Sequence, residues 1–233
     1  MAATLPRRAL AAAIRRHVLR EGATWRIPMG LGQGLRVAVQ EEQSASLHLY
    51  LGTAETEIAP HIRRLLAPGM RCVDIGGNNA YYAMIFARLT RTEVVSIDFA
   101  DDAIALAERN LALNPALAPL VRLERCYVAG ESIPARGIST LDDLLARGVI
   151  APPDFLKMDV EGAEHAVLQG ATRILREHRP SIVAETHGQD VETAVAERLL
   201  AAGYTVRIVN QRRWLREGRP LKGNRWLVAE PRS

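Results

Sequence analysis

The segment Asp154-Phe-Leu-Lys157-Met-Asp159-Val-Glu161-Gly-Ala-Glu164 concentrates charge in a stretch whose apolar half reads as a buried strand. In a strand, side chains two apart share a face, so Lys157 and Asp159 lie together. A lysine buried in a central strand is costly unless it is paired. Lysine is also rare here: of 30 lysines and arginines only Lys157 and Lys222 are lysine, so its use at 157 carries information. Glu185-Thr-His187-Gly188 ends the next strand. Asp159, Glu161, Glu185 and His187 can therefore converge, with Lys157 pairing one of the acids and holding it ionised. Two chemistries suit such a group. His187, oriented by a carboxylate, can take a proton from a hydroxyl. Alternatively Asp159, Glu161 and Glu185 can hold a divalent metal, Mg or Ca, that lowers the pKa of that hydroxyl. Solvated capping groups explain the cluster less well. Glu164 alone is assigned to the ordinary preference of acids for a helix N-terminus.

A second motif, Asp74-Ile-Gly76-Gly77-Asn78-Asn79-Ala80, follows an earlier strand. Glycines let the chain turn tightly and let a ligand approach the backbone. About 20 residues further on, Asp98 ends the next strand, where an acid can take two ribose hydroxyls. The spacing is not G-x-G-x-x-G, which argues against NAD. S-adenosylmethionine has no pyrophosphate and carries an ammonium group that Asp74 could attract. The expected cofactor set is Asp74, Gly76, Gly77, Asn78, Asp98, Phe99 and Tyr127.

These residues need a scaffold that brings strand ends together. Thr24–Ile27 and Leu35–Val39 read as a hairpin turned by Gly30, Gly32 and Gly34. Glu55–Leu66 reads as a helix stopped by Pro68-Gly69. Strands and helices then alternate. The strands are Arg71–Ile75, Glu93–Ile97, Val121–Arg125, Asp154–Met158 and Ser181–Glu185. The helices are Tyr81–Leu89, Ala100–Leu113, Thr140–Ala146, Ala163–Glu177 and Val191–Ala202. Tyr204–Val209 and Arg225–Ala229 close the pattern with no helix between them. The expected fold is α/β: a Rossmann-like class I methyltransferase fold with a mostly parallel seven-stranded sheet and one antiparallel strand. Residues 1–50 form an N-terminal helix and hairpin extension and 51–233 the methyltransferase domain.

Composition agrees with a globular chain. In 233 residues, 48% are hydrophobic and 24% charged, which excludes disorder as the main state. No apolar run approaches the roughly 18 residues of a membrane span. Two cysteines, Cys72 and Cys126, make no disulfide framework and suit a reducing compartment. The net charge of +4 is weak evidence for a polyanionic partner, because an arginine habit from a GC-rich genome explains it. The first twenty residues read as a basic amphipathic helix, taken as a surface helix rather than a transit peptide, with no secretory apolar stretch.

Four stretches together resemble the FkbM family of S-adenosylmethionine-dependent methyltransferases. They are Asp74-Ile-Gly-Gly-Asn-Asn-Ala-Tyr-Tyr, Ser139-Thr-Leu-Asp-Asp-Leu-Leu, Phe155-Leu-Lys-Met-Asp-Val-Glu-Gly-Ala-Glu-His-Ala-Val-Leu-Gln-Gly-Ala and Val183-Ala-Glu-Thr-His. The resemblance spans about Leu49 to Glu185. It departs at Ala80, where the family usually has glycine, and at Asp98-Phe99, where it has Glu-Pro. It implies an O-methyltransferase acting on a hydroxyl of a sugar, glycan or secondary metabolite, in a bacterial cytoplasm, with an oligomer possible. The arginine-rich stretch Asn210–Gly223 suits phosphate, carboxylate or a stacked ring, so an anionic acceptor is among the options. A nucleic-acid or nitrogen acceptor is disfavoured, because Asp159-Val-Glu-Gly stands where base methyltransferases carry Asn/Asp-Pro-Pro-aromatic. A non-catalytic scaffold subunit that binds the cofactor is the remaining alternative.

Overall fold

A computed structural model describes residues 22–40, 47–211 and 224–232. The basic helix expected over residues 1–20 lies outside them, as do Arg212, Arg213, Trp214, Arg216, Arg219 and Lys222 of the arginine-rich stretch. The central sheet uses β3 (Cys72–Ile75), β4 (Val94–Asp98), β5 (Val121–Arg125), β8 (Phe155–Met158), β9 (Ser181–His187), β10 (Tyr204–Val209) and β11 (Asn224–Pro231). Its order is β10-β11-β9-β8-β3-β4-β5. Only β11 runs against its neighbours, pairing antiparallel with both β10 and β9. This is the expected mostly parallel seven-stranded Rossmann-like sheet. The order reverses at β3, which lies between β4 and β8, so the crevice for a ligand opens beyond the carboxyl ends of those three strands.

The central strands read Cys-Val-Asp-Ile and Phe-Leu-Lys-Met, and all eight residues are buried. Near-continuous apolar runs are what a parallel strand covered on both faces requires. The two charged exceptions, Asp74 and Lys157, are direct cross-strand partners. One face of the sheet packs on α2 (Ala59–Leu65), α3 (Tyr81–Thr90) and the hairpin of β1 (Thr24–Arg26) and β2 (Arg36–Ala38). The other packs on α5 (Leu141–Ala146), α6 (Glu164–Gln169) and α7 (Gln189–Ala201). No helix among the described residues is long and apolar enough to cross a membrane.

Three expectations shift. The helix expected from Glu55 begins at Ala59, with Pro60 in its first turn, where proline's missing N–H costs nothing. Glu55 itself takes a left-handed φ of 47° ahead of it. The helix expected over Ala163–Glu177 breaks after Gln169, and a π-helical turn follows at Ile174–His178. Gly170 stands at the break, where a Cβ would come 2.4 Å from the Ala129 carbonyl oxygen. Finally, β9 runs two residues further than expected and carries His187 on the strand itself.

The hairpin is tied to the rest of the domain by side chains of α4 (Asp101–Ala112) and its C-terminal turn. The Asn110 carboxamide oxygen accepts from Ala38 N at 2.8 Å and its amide donates to Asn79 O at 2.9 Å. Asn114 exchanges two hydrogen bonds with the Arg36 backbone. These amides act as a surrogate strand along the free edge of β2. Asn110→Ala leaves two backbone groups without partners at a site 1% exposed. Urea unfolding should show a loss of about 2–3 kcal/mol; a loss under about 0.5 kcal/mol would mean the hairpin is held by its apolar residues alone.

Candidate active site

The turn after β3 is shaped by two different collisions. A side chain at Gly76, whose φ is 72°, would place Cβ 1.8 Å from the Asp159 carbonyl oxygen. One at Gly77 would meet Ser96 Oγ at 2.0 Å. Both glycine amides donate to Ile97 O. Ala80 is fully buried with φ 59°, a left-handed position that explains the glycine usual in the resembling family. Asp98 ends β4 and accepts from Asn78 N at 2.9 Å and Ala100 N at 3.1 Å, one on each oxygen. A carboxylate oxygen has two lone pairs, so each retains one for a hydroxyl.

Beyond this turn lies a cavity of about 250 Å³ walled by Gly76, Asn78, Asp98, Asp159, Val160 and Glu161. Phe99 and Tyr127 stand at its edge as an edge-to-face pair with ring centroids 5.3 Å apart, 61% and 41% exposed. Large aromatics left in solvent beside a cavity suit a flat heterocycle. The residues fit S-adenosylmethionine: aromatics for the adenine, Asp98 for the ribose. Of the expected cofactor residues, Gly76, Asn78, Asp98, Phe99 and Tyr127 line the cavity. Asp74 and Gly77 do not. Gly77 serves close packing against Ser96. Asp74 is fully buried and lies 3.4 Å from Lys157 Nζ.

Lys157 holds the inner part of the site. Its Nζ lies 3.4 Å from Asp74 Oδ1, 3.6 Å from Asp159 Oδ2 and 5.1 Å from the centre of the Tyr82 ring. Burial works against its charge, but Asp74, then Asp159, Glu55 and Glu185 outweigh it and raise its pKa. Asp74 is pushed up to about 6 by burial, against the pull of Lys157. The Tyr82 hydroxyl donates to Glu55 Oε2 at 2.5 Å. Burial, then the charges of Asp159 and Glu185, push Glu55 up to about 8, so it is protonated at neutral pH.

His187 reaches the same cluster from β9. Its Nδ1 lies 2.8 Å from Glu164 Oε1, and its Nε2 faces Glu161 Oε2 at 3.4 Å and Asp159 Oδ1 at 3.7 Å. The hydrogen bond to Glu164 is the main cause of a pKa pushed up to about 9, opposed by burial. The structure thus brings Lys157, Asp159, Glu161, Glu185 and His187 together. It also corrects the reading of Glu164 as a mere helix-start acid: it is 0% exposed and bound to the histidine. Strand alternation could not reveal it, because the turn at 161–163 folds the helix start back toward β9. Glu55 and Tyr82 were likewise missed. Glu55 arrives from outside the alternating pattern, and Tyr82 closes the glycine-turn motif at a position that reads as a core aromatic of the helix.

Among the described residues, two trios bring ligand atoms within 4.8 Å of one another: Asp159, Glu161 and His187, and Glu55, Asp159 and Glu185. Their fit to a divalent ion is poor. Lys157 Nζ lies 3.6 Å from Asp159 Oδ2, the acid common to both trios, so an ion there would have to compete with a buried ammonium.

The comparisons with known proteins fit this geometry. The profile of the Methyltransferase FkbM domain matches residues 135–206, which include β8, α6 and β9. No curated protein sequence matches the chain. Among solved structures, a methyltransferase FkbM from Methylobacillus flagellatus KT superposes with a TM-score of 0.59 at 18% identity, covering 79% of this chain and 53% of that one. A precorrin-6Y C5,15-methyltransferase from Geobacter metallireducens GS-15 gives 0.55 at 17%, covering 76% and 87%. An rRNA methylase from Streptococcus thermophilus gives 0.54 at 14%, covering 77% and 99%. At these identities the likeness defines the fold, which is that of the Rossmann-like methyltransferases. Residues 135–206 match the FkbM family of methyltransferase domains, and the chain has the methyltransferase fold.

The shifted groups set a direction for stability against pH. His187 binds its proton more tightly folded, at about 9, than at the ordinary 6.5. Its stabilisation is therefore complete below 6.5 and lost as pH rises through about 9. Glu55, raised from 4.5 to about 8, acts in the same sense at lower pH. Urea midpoints should fall from neutral pH toward about 9, and less steeply in His187→Ala. An equal slope in the variant would mean the imidazolium adds nothing to folding.

Proposed function

We propose that the protein transfers a methyl group to a hydroxyl of a sugar, glycan or secondary metabolite, with His187 as the proton acceptor. One observation carries this reading: Asp159 and Glu161 wall the cofactor cavity and also face His187 Nε2. A proton-accepting nitrogen thus lies just beyond the place where the methyl group would be presented. S-adenosylmethionine supplies a methyl on a sulfonium, so the transfer is downhill and the protein's task is to align the groups and remove a proton. Asp98, Phe99 and Tyr127 hold the nucleoside. Bound S-adenosylmethionine would supply the methyl group, and Nε2 of neutral His187 would take the proton that the acceptor hydroxyl loses. The acids around that nitrogen stabilise the imidazolium that results. The wall beside the reacting centre is acidic, which suits the sulfonium cation and a neutral hydroxyl. An anionic portion of the acceptor would have to lie further away, and the arginine-rich stretch at Asn210–Gly223 keeps that option open on sequence grounds alone.

The test is a labelled-methyl screen over glycans, nucleotide sugars and polyketide hydroxyls, followed by kinetics. Turnover should rise with pH toward about 9, where neutral His187 becomes populated. His187→Ala and Asp159→Ala should each lose roughly a hundredfold or more in kcat. Asp98→Ala should instead weaken cofactor binding by about tenfold, from two lost ribose hydrogen bonds. Near-normal turnover in both His187 and Asp159 variants would overturn the assignment, and binding of cofactor with no turnover on any acceptor would favour a scaffold role.

Metal dependence is a separate test. With Lys157 and His187 supplying positive charge inside the cluster, activity should survive thorough chelation. Loss of activity on chelation, restored by magnesium or calcium, would move the proton-lowering role to an ion held by the carboxylates.

A further inference from the structure

We propose that Glu164 is the positioning residue of the site: one of its carboxylate oxygens sets both the wall of the cofactor cavity and the orientation of the His187 ring. The proposal rests on the reading of His187 as proton acceptor. Glu164 Oε1 lies 3.1 Å from Gly162 N and 3.3 Å from Val160 N, accepting from both, and 2.8 Å from His187 Nδ1. The turn it grips is one the backbone would not keep unaided, because Glu161 has φ 52° and Gly162 φ 103°. Val160, Glu161 and Ala163 of that turn line the cofactor cavity. The second oxygen, Oε2, is buried with no hydrogen-bond partner among the described residues, so the charge of Glu164 is satisfied through Oε1 alone.

Two consequences follow from this geometry. A carboxylate oxygen can only accept, so Nδ1 must carry the proton when the ring is neutral. The lone pair is then on Nε2, facing Asp159 and Glu161 beside the cavity. Moreover, the cavity wall and the ring share one anchor. A change in the turn moves the anchor of the ring, and loss of the anchor loosens the wall.

The test uses protein labelled with nitrogen-15 at histidine and needs no acceptor. Above the pKa of the ring, at about pH 10, wild-type His187 should be the Nδ1–H tautomer, against the Nε2–H form that free imidazole side chains favour. Finding Nε2–H in the wild type would overturn the proposal outright. In Glu164→Ala the tautomer should revert, and affinity for S-adenosylhomocysteine should fall about tenfold through the loosened turn. Glu164→Gln keeps an accepting oxygen at that position, so tautomer and affinity should both be rescued to within about threefold. A folded Glu164→Ala with wild-type tautomer and affinity would also overturn it. If that variant does not fold, the wild-type tautomer and the glutamine rescue still decide. An unchanged Glu164→Ala leaves the role of His187 standing, whereas an Nε2–H wild type would count against both readings; a silent His187→Ala in the kinetic assay leaves the tautomer result untouched.

Discussion

The ammonium of Lys157, sealed beneath Tyr82 between Asp74 and Asp159, is the interaction on which the site depends. A cation with 3% of its side chain exposed needs anions, and the register of β3 and β8 puts Asp74 directly across from it. That demand sets Asp74 in the core beside the cavity. It also places a cation 3.6 Å from Asp159 at the lip of the cavity. Buried ion pairs of this kind add little net stability relative to apolar replacements, yet losing one partner is severe. Their value here is placement, since Lys157 fixes where the negative charge of Asp159 points.

The distribution of protons is as telling as the distribution of charges. At neutral pH Glu55 and His187 both hold protons that their residue types would ordinarily be losing or lacking. Crowding causes this: Asp159 and Glu185 press on Glu55, and Glu164 supports His187. Glu161 belongs to another regime. Its side chain is 88% exposed, so its contact with His187 is screened by water and contributes direction more than energy.

Much of the architecture was legible because buried parallel strands announce themselves. The apolar runs at β3 and β8, the glycine turn and the acid ending β4 are local signals, and a lysine in an arginine-rich chain marked the centre of the site. The misreadings share one cause, which is contact between segments distant in sequence. Nothing local reveals that Lys157 lies across from Asp74. The close approach of Gly170 to the Ala129 backbone is equally invisible along the chain. Glu164 looked like a helix-start acid because only the left-handed turn before it swings the carboxylate to His187. Glu55 reaches the cluster from a turn that no helix or strand period describes.

The paired glycines after β3 carry a consequence for how this sequence can drift. At Gly76 the obstacle is the main chain of Asp159, which no substitution elsewhere can remove. At Gly77 the backbone is permissive, and the obstacle is a single hydroxyl on Ser96. Position 77 is therefore free to gain a methyl in any lineage that first shortens residue 96 to alanine or glycine, while position 76 has no such escape. Relatives of this protein should accordingly show residues 77 and 96 changing as a correlated pair, and residue 76 as a glycine without exceptions.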